Sequence, residues 1–361
     1  MKIVNLECWV HEMKLKEPYT IAYETVDRCT NVFIKATTDT GITGWGCAAP
    51  DEVVTRENHE SVSRIFKDFI DPLLKKSDPW RYVNLLEEAK KTIHDAPTAL
   101  AMMDMVLFDL ISREAHVPLY KFLGGYRTKI ATSITIGIMP IKETVEAAGK
   151  WIDKGFRILK IKGGKDYLED IERILKLREK FGQKVEIRFD ANQGYKVEEA
   201  VAFIQGTKKA NIEVFEQPTP RALETLLGMV SKRVTVPVMA DESLLTLRDA
   251  FRLTKNDLAD MINIKLMKVG GINEALHINS VAKSAGVESM VGCMDESELG
   301  IAAGLHLALA RPNVFYADLD GHLDLENDPF SGLIRLEKGV LYPDPGPGLG
   351  NINLKNYSRR D

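Results

Sequence analysis

Three short apolar segments of the sequence each end in an acidic residue. The acids are the last residues of Arg188-Phe189-Asp190, Val214-Phe215-Glu216 and Met239-Ala240-Asp241. If the segments are consecutive parallel strands, their carboxylates converge at one rim, where they would raise each other's pKa unless a cation lay among them. Oxygen ligands without a nearby histidine or cysteine favour Mg²⁺ over zinc. The alternative is that each acid caps the helix after its strand.

Three lysines occupy related positions. Lys160 and Lys162 are two residues apart in the segment before the first acid, so both point to the same face of a strand. Lys265 ends a later segment of the same kind. Branched apolar side chains normally fill a barrel interior, so inward ammonium groups are costly unless they have a function. A register in which the lysines face solvent is the alternative.

The order of these segments suggests a reaction. Lys162 would lie on the second and Lys265 on the sixth of eight strands, facing each other across the barrel axis. A carboxylate held on the metal would place its α-carbon between the two amines. Removal of the α-proton requires stabilisation of the enediolate, which a divalent cation provides, and the charge of Lys160 would lower the pKa of the base. Two opposed bases predict a racemase or epimerase.

The elements that position these residues follow a regular pattern. From Ala131, short apolar strands alternate with amphipathic helices, which is typical of a parallel sheet. We place the strands near residues 133–136, 158–162, 185–190, 212–216, 237–241, 261–265, 289–293 and 314–318. Eight such units predict an α/β fold with a (β/α) barrel. A doubly wound sheet is the alternative, but its GxGxxG fingerprint is absent.

The N-terminal part reads as a separate α+β unit. Strands at 3–11, 31–38 and 44–47 surround the turn Asp39-Thr40-Gly41, and helices follow at 60–74, 79–94 and 97–114. We therefore divide the chain into an N-terminal domain (1–125), a barrel (126–325) and a tail (326–361). The tail lacks helical periodicity and is predicted to pack back on the N-terminal domain.

Composition limits the classes of partner. The 361 residues are 28% charged with a net charge of −4, which leaves no basic stripe for nucleic acid. The four cysteines have no metal or disulfide spacing. With no secretory signal and no apolar run of roughly 20 residues, we expect a cytoplasmic protein without membrane insertion. The oligomeric state stays open, a homo-oligomer being one option.

Taken together, the motifs resemble the muconate-lactonizing subgroup of the enolase superfamily over essentially the full chain. The resemblance lies in Lys160-Ile161-Lys162, Asp190-Ala191-Asn192-Gln193-Gly194, Glu216-Gln217-Pro218, Asp241-Glu242-Ser243 and the segment 263–271 with Lys265. It implies a modified TIM barrel, (β/α)7β, with an N-terminal α+β capping domain whose loops near 19–28 and 50–57 help to select the substrate. It also implies Mg²⁺ on the three acids and catalysis by the three lysines.

A further motif predicts the substrate. Asp318-Leu319-Asp320-Gly321-His322 is similar to the DxD signature of dipeptide epimerases in that subgroup. Two acids on the eighth strand, opposite the metal, would hold an α-ammonium group, which predicts a dipeptide such as L-Ala-Xaa epimerised at its C-terminal residue. Alternatively, these acids cap the final loop or pair with lysines. Thr135, Met294 and Glu24 are further expected substrate contacts.

The sequence allows more than one substrate side chain and more than one reaction of this chemical type. Acids in the capping loops (Glu24, Asp27, Asp51 and Glu52) would favour a cationic second residue if they faced the pocket, but loop acids are mostly solvated. Asp295 and Glu298 add negative charge with unknown orientation. The alternatives with the same chemistry are an o-succinylbenzoate synthase, a cycloisomerase or an N-acylamino acid racemase. A non-catalytic ligand-binding barrel is the alternative of another class.

Overall fold

The computed structural model describes residues 1–20 and 25–354. Its N-terminal part consists of a three-stranded antiparallel sheet, in the order β1-β2-β3, with helices packed on it. The elements are β1 (Ile3–Thr20), β2 (Thr25–Thr38), β3 (Thr43–Ala48), α1 (His59–Ile65), α2 (Asp71–Leu74), α3 (Tyr82–Ile93), α4 (Pro97–Glu114) and α5 (Leu119–Phe122). A π-helical turn, Phe66–Ile70, joins α1 to α2, so the helix predicted at 60–74 is continuous but not uniform.

The first two strands are longer than the sequence pattern predicted. β1 and β2 pair from Ile3↔Thr38 to Thr20↔Thr25, with a register shift between Lys14 and Tyr19. Because such a shift interrupts the alternation of apolar and polar residues, the pattern is not visible in the sequence beyond residue 11. The extension brings Tyr19 to the mouth of the barrel.

The second part is a barrel of parallel strands surrounded by helices. Its strands are β5 (Ile134–Ile136), β6 (Ile158–Lys162), β7 (Glu186–Asp190), β8 (Val214–Glu216), β9 (Val238–Ala240), β10 (Met261–Lys265), β11 (Glu288–Gly292) and β12 (Val314–Asp318), after a short β4 (Ile130–Ala131). Its helices are α6 (Ile141–Asp153), α7 (Tyr167–Phe181), α8 (Val197–Gly206), α9 (Glu224–Ser231), α10 (Leu247–Lys255), α11 (Leu266–Val269), α12 (Ile272–Ser284) and α13 (Glu298–Ala310). Single 3₁₀ turns lie at 79–81, 182–184, 208–210 and 221–223.

The strand order decides between the two predicted architectures. Strands β5 to β12 are hydrogen-bonded in sequence order, with every pair parallel. The edge strands also meet, because the Ser133 N–H donates to the Ala317 carbonyl oxygen at 3.1 Å and Thr132 bridges to Ala317. A doubly wound sheet would reverse its order at a switch point. The prediction of a modified TIM barrel, (β/α)7β, with an N-terminal α+β domain is therefore confirmed.

The last described segment contains a hairpin that the sequence pattern did not predict. β13 (Ile334–Glu337) and β14 (Val340–Pro343) form a three-stranded sheet with β4. The segment before the hairpin contacts the N-terminal sheet: the Glu326 N–H donates to the Lys14 carbonyl oxygen at 2.8 Å, and the rings of Phe330 and Phe33 lie 4.8 Å apart. These contacts join the segment to the N-terminal sheet. Within the described residues, no helix has both the length and the apolar character required to cross a membrane.

Candidate active site

Parallel register brings the predicted acids together. Lys162 on β6 is aligned with Asp190 on β7, and Asp190 is aligned with Glu216 on β8. Asp241 directly follows β9. All three acids are buried, and their ligand atoms lie within 4.8 Å of one another. The arrangement therefore concentrates three carboxylates in one small volume at the carboxyl end of the strands.

Two local features hold the strand ends in place. The Gln217 side-chain oxygen accepts hydrogen bonds from the backbone N–H groups of Asp241 and Ser243, at 2.9 and 3.1 Å, which ties the end of β8 to the end of β9. Gly164 has a φ of +102°, and a Cβ there would lie 2.0 Å from the Ala191 carbonyl oxygen. Only glycine allows this close approach of the loops after β6 and β7.

The predicted lysines point into the same volume. Lys160 is 2% exposed, and its Nζ lies 3.1 Å from Asp190 Oδ2 and 2.8 Å from Glu216 Oε2. Lys162 Nζ lies 2.8 Å from Asp190 Oδ2, and Lys265 Nζ lies 2.8 Å from Asp241 Oδ2. Lys162 and Lys265 thus reach the acid group from strands four positions apart in an eight-stranded barrel.

A fourth lysine was not predicted. Lys268 Nζ is fully buried and contacts both the side chain and the backbone carbonyl of Asp241. It lies on α11, three residues after Lys265, so it enters from the first turn of the helix rather than from the strand. Its spacing to Lys265 was the available signal, but a helical lysine is usually solvated and the sequence alone gave no reason to place it inside.

Burial and charge act in opposite directions on these groups. Burial raises the pKa of Asp190, but Lys162 and Lys160 lower it, and the net pKa lies below the ordinary range. Burial and the Asp190 charge raise the pKa of Glu216 to about 8. Burial lowers the pKa of Lys160, whereas the surrounding carboxylates raise it well above its ordinary value. The site is therefore a dense network in which each charge depends on its neighbours.

The donor set fits a hard divalent cation. Asp190, Glu216 and Asp241 offer only oxygen, as Mg²⁺ prefers. Beside them, Asn192 Oδ1 and Glu242 Oε2 are buried and receive no hydrogen bond from the described residues. Buried acceptors without a donor are uncommon in folded proteins, and Mg²⁺ usually keeps several water ligands that could donate to them. The acid group and its two adjoining acceptors are thus suited to a hydrated cation.

The DxD acids lie on the opposite arc and differ from each other. Asp318 accepts hydrogen bonds from Lys160 Nζ at 2.9 Å and from the Ser133 hydroxyl at 2.6 Å, which is the lysine pairing considered above. Asp320 Oδ2 accepts the Thr135 backbone N–H at 2.6 Å. Asp318, Asp320 and Thr135 all line the cavity above the barrel. Asp318 is committed to the lysine network, whereas Asp320 presents a carboxylate at the cavity wall.

The other candidate residues have diverse positions. Met294 lines the cavity beside Asp295, whose carboxylate accepts the Tyr19 hydroxyl at 2.9 and 3.0 Å. Glu298 instead accepts backbone N–H groups of the 332–334 segment. Asp51 also lines the cavity, while Asp27 is exposed beside Arg28 and Glu52 accepts from Asn58. Glu24 lies outside the described residues.

Comparisons with known proteins place the chain in a family. Residues 4–124 match the model for the mandelate racemase / muconate lactonizing enzyme N-terminal domain, and residues 143–354 match the enolase C-terminal domain-like model. The chain belongs to the mandelate racemase and muconate lactonizing enzyme family. The resemblance to the enolase superfamily, identified from the strand-end motifs, is therefore confirmed.

Individual relatives extend over the whole chain. An L-Lys-D/L-Arg epimerase from Desulforapulum autotrophicum is 41% identical, with 97% of this chain and 99% of the relative covered. An L-Ala-D/L-Glu epimerase from Bacillus subtilis is 37% identical, with 98% and 97% covered. A dipeptide epimerase from Enterococcus faecalis V583, solved with Mg and L-Leu-L-Tyr, superposes with a TM-score of 0.95 at 36% identity, with 98% and 100% covered. Such family members are isomerases.

Proposed function

We propose that this protein is a Mg²⁺-dependent dipeptide epimerase that inverts the α-carbon of the C-terminal residue. The single observation that carries the proposal is the approach of Lys162, from β6, and Lys265, from β10, to one buried acid group from opposite sides of the barrel. Two amines so placed can serve the two faces of one carbon. The alignment with dipeptide epimerases over the full chain supports the same activity.

The chemical role of each side chain follows from its position. Asp190, Glu216 and Asp241 would hold the cation, which when bound supplies positive charge to stabilise the negative charge that develops on the substrate carboxylate. One lysine Nζ takes the proton as the Cα–H bond breaks, and the other Nζ delivers a proton to the opposite face. Lys160 contacts Asp190, Glu216 and Asp318 and so holds these carboxylates in fixed relative positions.

The dipeptide assignment depends on the far side of the cavity. Asp320 faces the cavity from the arc opposite the metal acids, where it can accept a hydrogen bond from the substrate α-ammonium group. Asp318 stands behind it and contributes negative charge while paired with Lys160. A substrate held by its carboxylate at one end and its ammonium group at the other must have the length of a dipeptide. Thr135 and Met294 also line this cavity.

The remaining parts of the chain would support this activity. We infer that residues 1–125 cap the barrel and that residues 326–361 fasten the cap, as the contacts of Glu326 and Phe330 suggest. The loop near 50–57, where Asp51 lines the cavity, would then help to select the substrate. The four cysteines are unpaired thiols, which suits a reducing, cytoplasmic location. A homo-oligomer remains compatible with this arrangement.

Incubation with Mg²⁺ and a set of L,L-dipeptides in D₂O tests the proposal. We expect replacement of the α-hydrogen by deuterium together with formation of the L,D product, measured by mass spectrometry and chiral separation. Chelation by EDTA should stop both. N-acetylated dipeptides and N-acylamino acids serve as matched controls that lack the ammonium group. Turnover of the N-acyl substrates alone would favour a racemase, and absence of exchange with every substrate would favour a non-catalytic binding barrel.

A further inference from the structure

The cavity above the barrel continues past the reacting centre. Lys162 and Lys265 lie at its floor, and four residues on one side also line a second cavity between the N-terminal part and the barrel. The four shared residues are Val26, Asp51, Met294 and Asp295. A substrate side chain that extends from the α-carbon past these residues would therefore enter the second space. Two of the four residues that it passes are acids.

Asp295 carries a negative charge with spare capacity for hydrogen bonds. Its two carboxylate oxygens share a single donor, the Tyr19 hydroxyl, although an ionised carboxylate has about four acceptor positions. Across residues 1–20 and 25–354, no lysine or arginine forms an ion pair with it. Burial raises the pKa of Asp295, and the nearby charge of Asp51 acts in the same direction. A cation bound beside Asp295 would offset both the burial of this carboxylate and its repulsion by Asp51.

Asp51 has a similar excess of acceptor sites. Its Oδ1 accepts the backbone N–H groups of Val53 and Val54 at 2.8 and 2.7 Å. No donor to Oδ2 is found in the described part of the chain. The nearest arginine lining the second cavity, Arg28, is already neutralised, because it pairs with Asp27 at 3.0 Å and with Glu12 at 3.6 Å. The described lining of the second cavity thus offers these acids no unpaired lysine or arginine, and the charges that lower the pKa of Asp295 are those of Lys162 and Lys265 at the cavity floor.

We propose that Asp51 and Asp295 select dipeptides that carry a basic side chain, as in lysine or arginine. The hydrocarbon stem of such a side chain would pack on Val26 and Met294 while its charged end reaches the two carboxylates. Charge-assisted hydrogen bonds are about twice as strong as neutral ones, whereas an acidic side chain would be repelled. This inference rests on the proposed function and adds the class of substrate side chain. The relatives leave that class open, because they are named for dipeptides with different side chains.

The test compares side chains of nearly equal shape and different charge. The purified protein with Mg²⁺ is assayed with L-Ala-L-Lys, L-Ala-L-norleucine and L-Ala-L-Glu. A second set of dipeptides has lysine, norleucine or glutamate in the first position and L-Ala in the second. We expect kcat/KM for the lysine dipeptide to exceed that for the norleucine dipeptide by at least about tenfold at one position, and the glutamate dipeptide to be poorest. A ratio near one at both positions, with measurable turnover, would overturn the inference and leave the epimerase proposal intact.

Two substitutions and one control assign the effect to residues. Asp51→Asn and Asp295→Asn keep size and remove charge, and each should bring the lysine-to-norleucine ratio down by about tenfold. Asp166→Asn removes the same charge from an exposed position that lines neither cavity and should leave the ratio unchanged. An undiminished ratio in both cavity variants, or an equal fall in the control, would contradict a direct role. Absence of exchange with all dipeptides would instead refute the proposed function.

Discussion

Two groups of buried carboxylates in this molecule have opposite surroundings. At the barrel rim, Asp190 and Asp241 contact lysine ammonium groups and lie beside acceptors without donors. Between the N-terminal helices and the barrel, Asp104 accepts the backbone N–H groups of Ile272 and Asn273 at 2.6 and 3.1 Å. The first group is paired with buried lysine ammonium groups. The second is satisfied by fixed backbone donors.

The donors to a buried carboxylate distinguish a functional acid from a structural one. Glu57 accepts the N–H groups of Thr98 and Ala99 at the start of α4, just as Asp104 caps the start of α12. Such acids complete helix ends that would otherwise be unsatisfied. The carboxylates at the rim cap no helix, although Asp190 Oδ1 accepts the Asn192 backbone N–H at 2.9 Å. They crowd together at an electrostatic cost, which indicates that a ligand completes them. Burial alone therefore does not identify a functional acid, whereas the identity of its donors does.

The largest expected effect is loss of either opposed amine at the rim. Lys162→Ala and Lys265→Ala should each lower epimerisation about 10²- to 10⁴-fold, because a positioned proton-transfer group contributes that much. Each variant should still exchange the α-proton for deuterium in one substrate epimer only, and in opposite epimers for the two variants. Proton NMR in D₂O measures both quantities. Exposed Lys165→Ala is the matched control, and retention of full epimerisation by both variants would refute the two-base assignment.

A smaller effect is expected on the far side of the cavity. Asp320→Asn should lower kcat/KM for dipeptides about 10- to 100-fold, since a hydrogen bond to the charged ammonium group is lost. Mg²⁺ affinity, measured by titration calorimetry, should change little because Asp320 contacts Thr135 rather than the metal acids. Equal losses in turnover and in Mg²⁺ affinity would assign Asp320 a structural role.

Much of the rim could be predicted from the sequence because its geometry is local. In a parallel barrel, neighbours in sequence are neighbours in space, so three acids at the ends of consecutive strands must converge. The alternation of side chains then placed Lys160 and Lys162 on one face. Both inferences need only strand order and strand register, which the apolar pattern contains.

Contacts between distant segments could not be predicted in this way. Tyr19 reaches Asp295 across 276 positions of the chain, and only because β1 extends beyond its apparent end. Asp318 pairs with Lys160, which lies two strands away in the barrel, and the DxD motif does not say which lysine it meets. The first pair depends on how the N-terminal part packs against the barrel, and the second depends on where long side chains point inside the barrel. The sequence contains no periodicity that encodes them.

The architectural acids should respond in stability rather than in turnover. Asp104→Asn leaves one of two buried N–H groups at the start of α12 without an acceptor and should lower the free energy of unfolding by about 1–3 kcal/mol. The turnover number of the folded fraction should stay within about twofold. Urea unfolding followed by circular dichroism, with activity measured below the transition, checks both. A large loss of turnover at unchanged stability would remove Asp104 from the architectural group.

The same substitution at an exposed cap should have the smallest effect. Asp166 caps α7 as Asp104 caps α12, because its Oδ1 accepts the Leu168 and Glu169 N–H groups at 2.9 and 3.4 Å, but it is exposed. Asparagine is an equally good N-cap residue, and water satisfies any donor that the side chain leaves. Asp166→Asn should therefore change the free energy of unfolding by less than about 0.5 kcal/mol. A loss equal to that of Asp104→Asn would mean that the cap itself, and not its burial, sets the energetic cost.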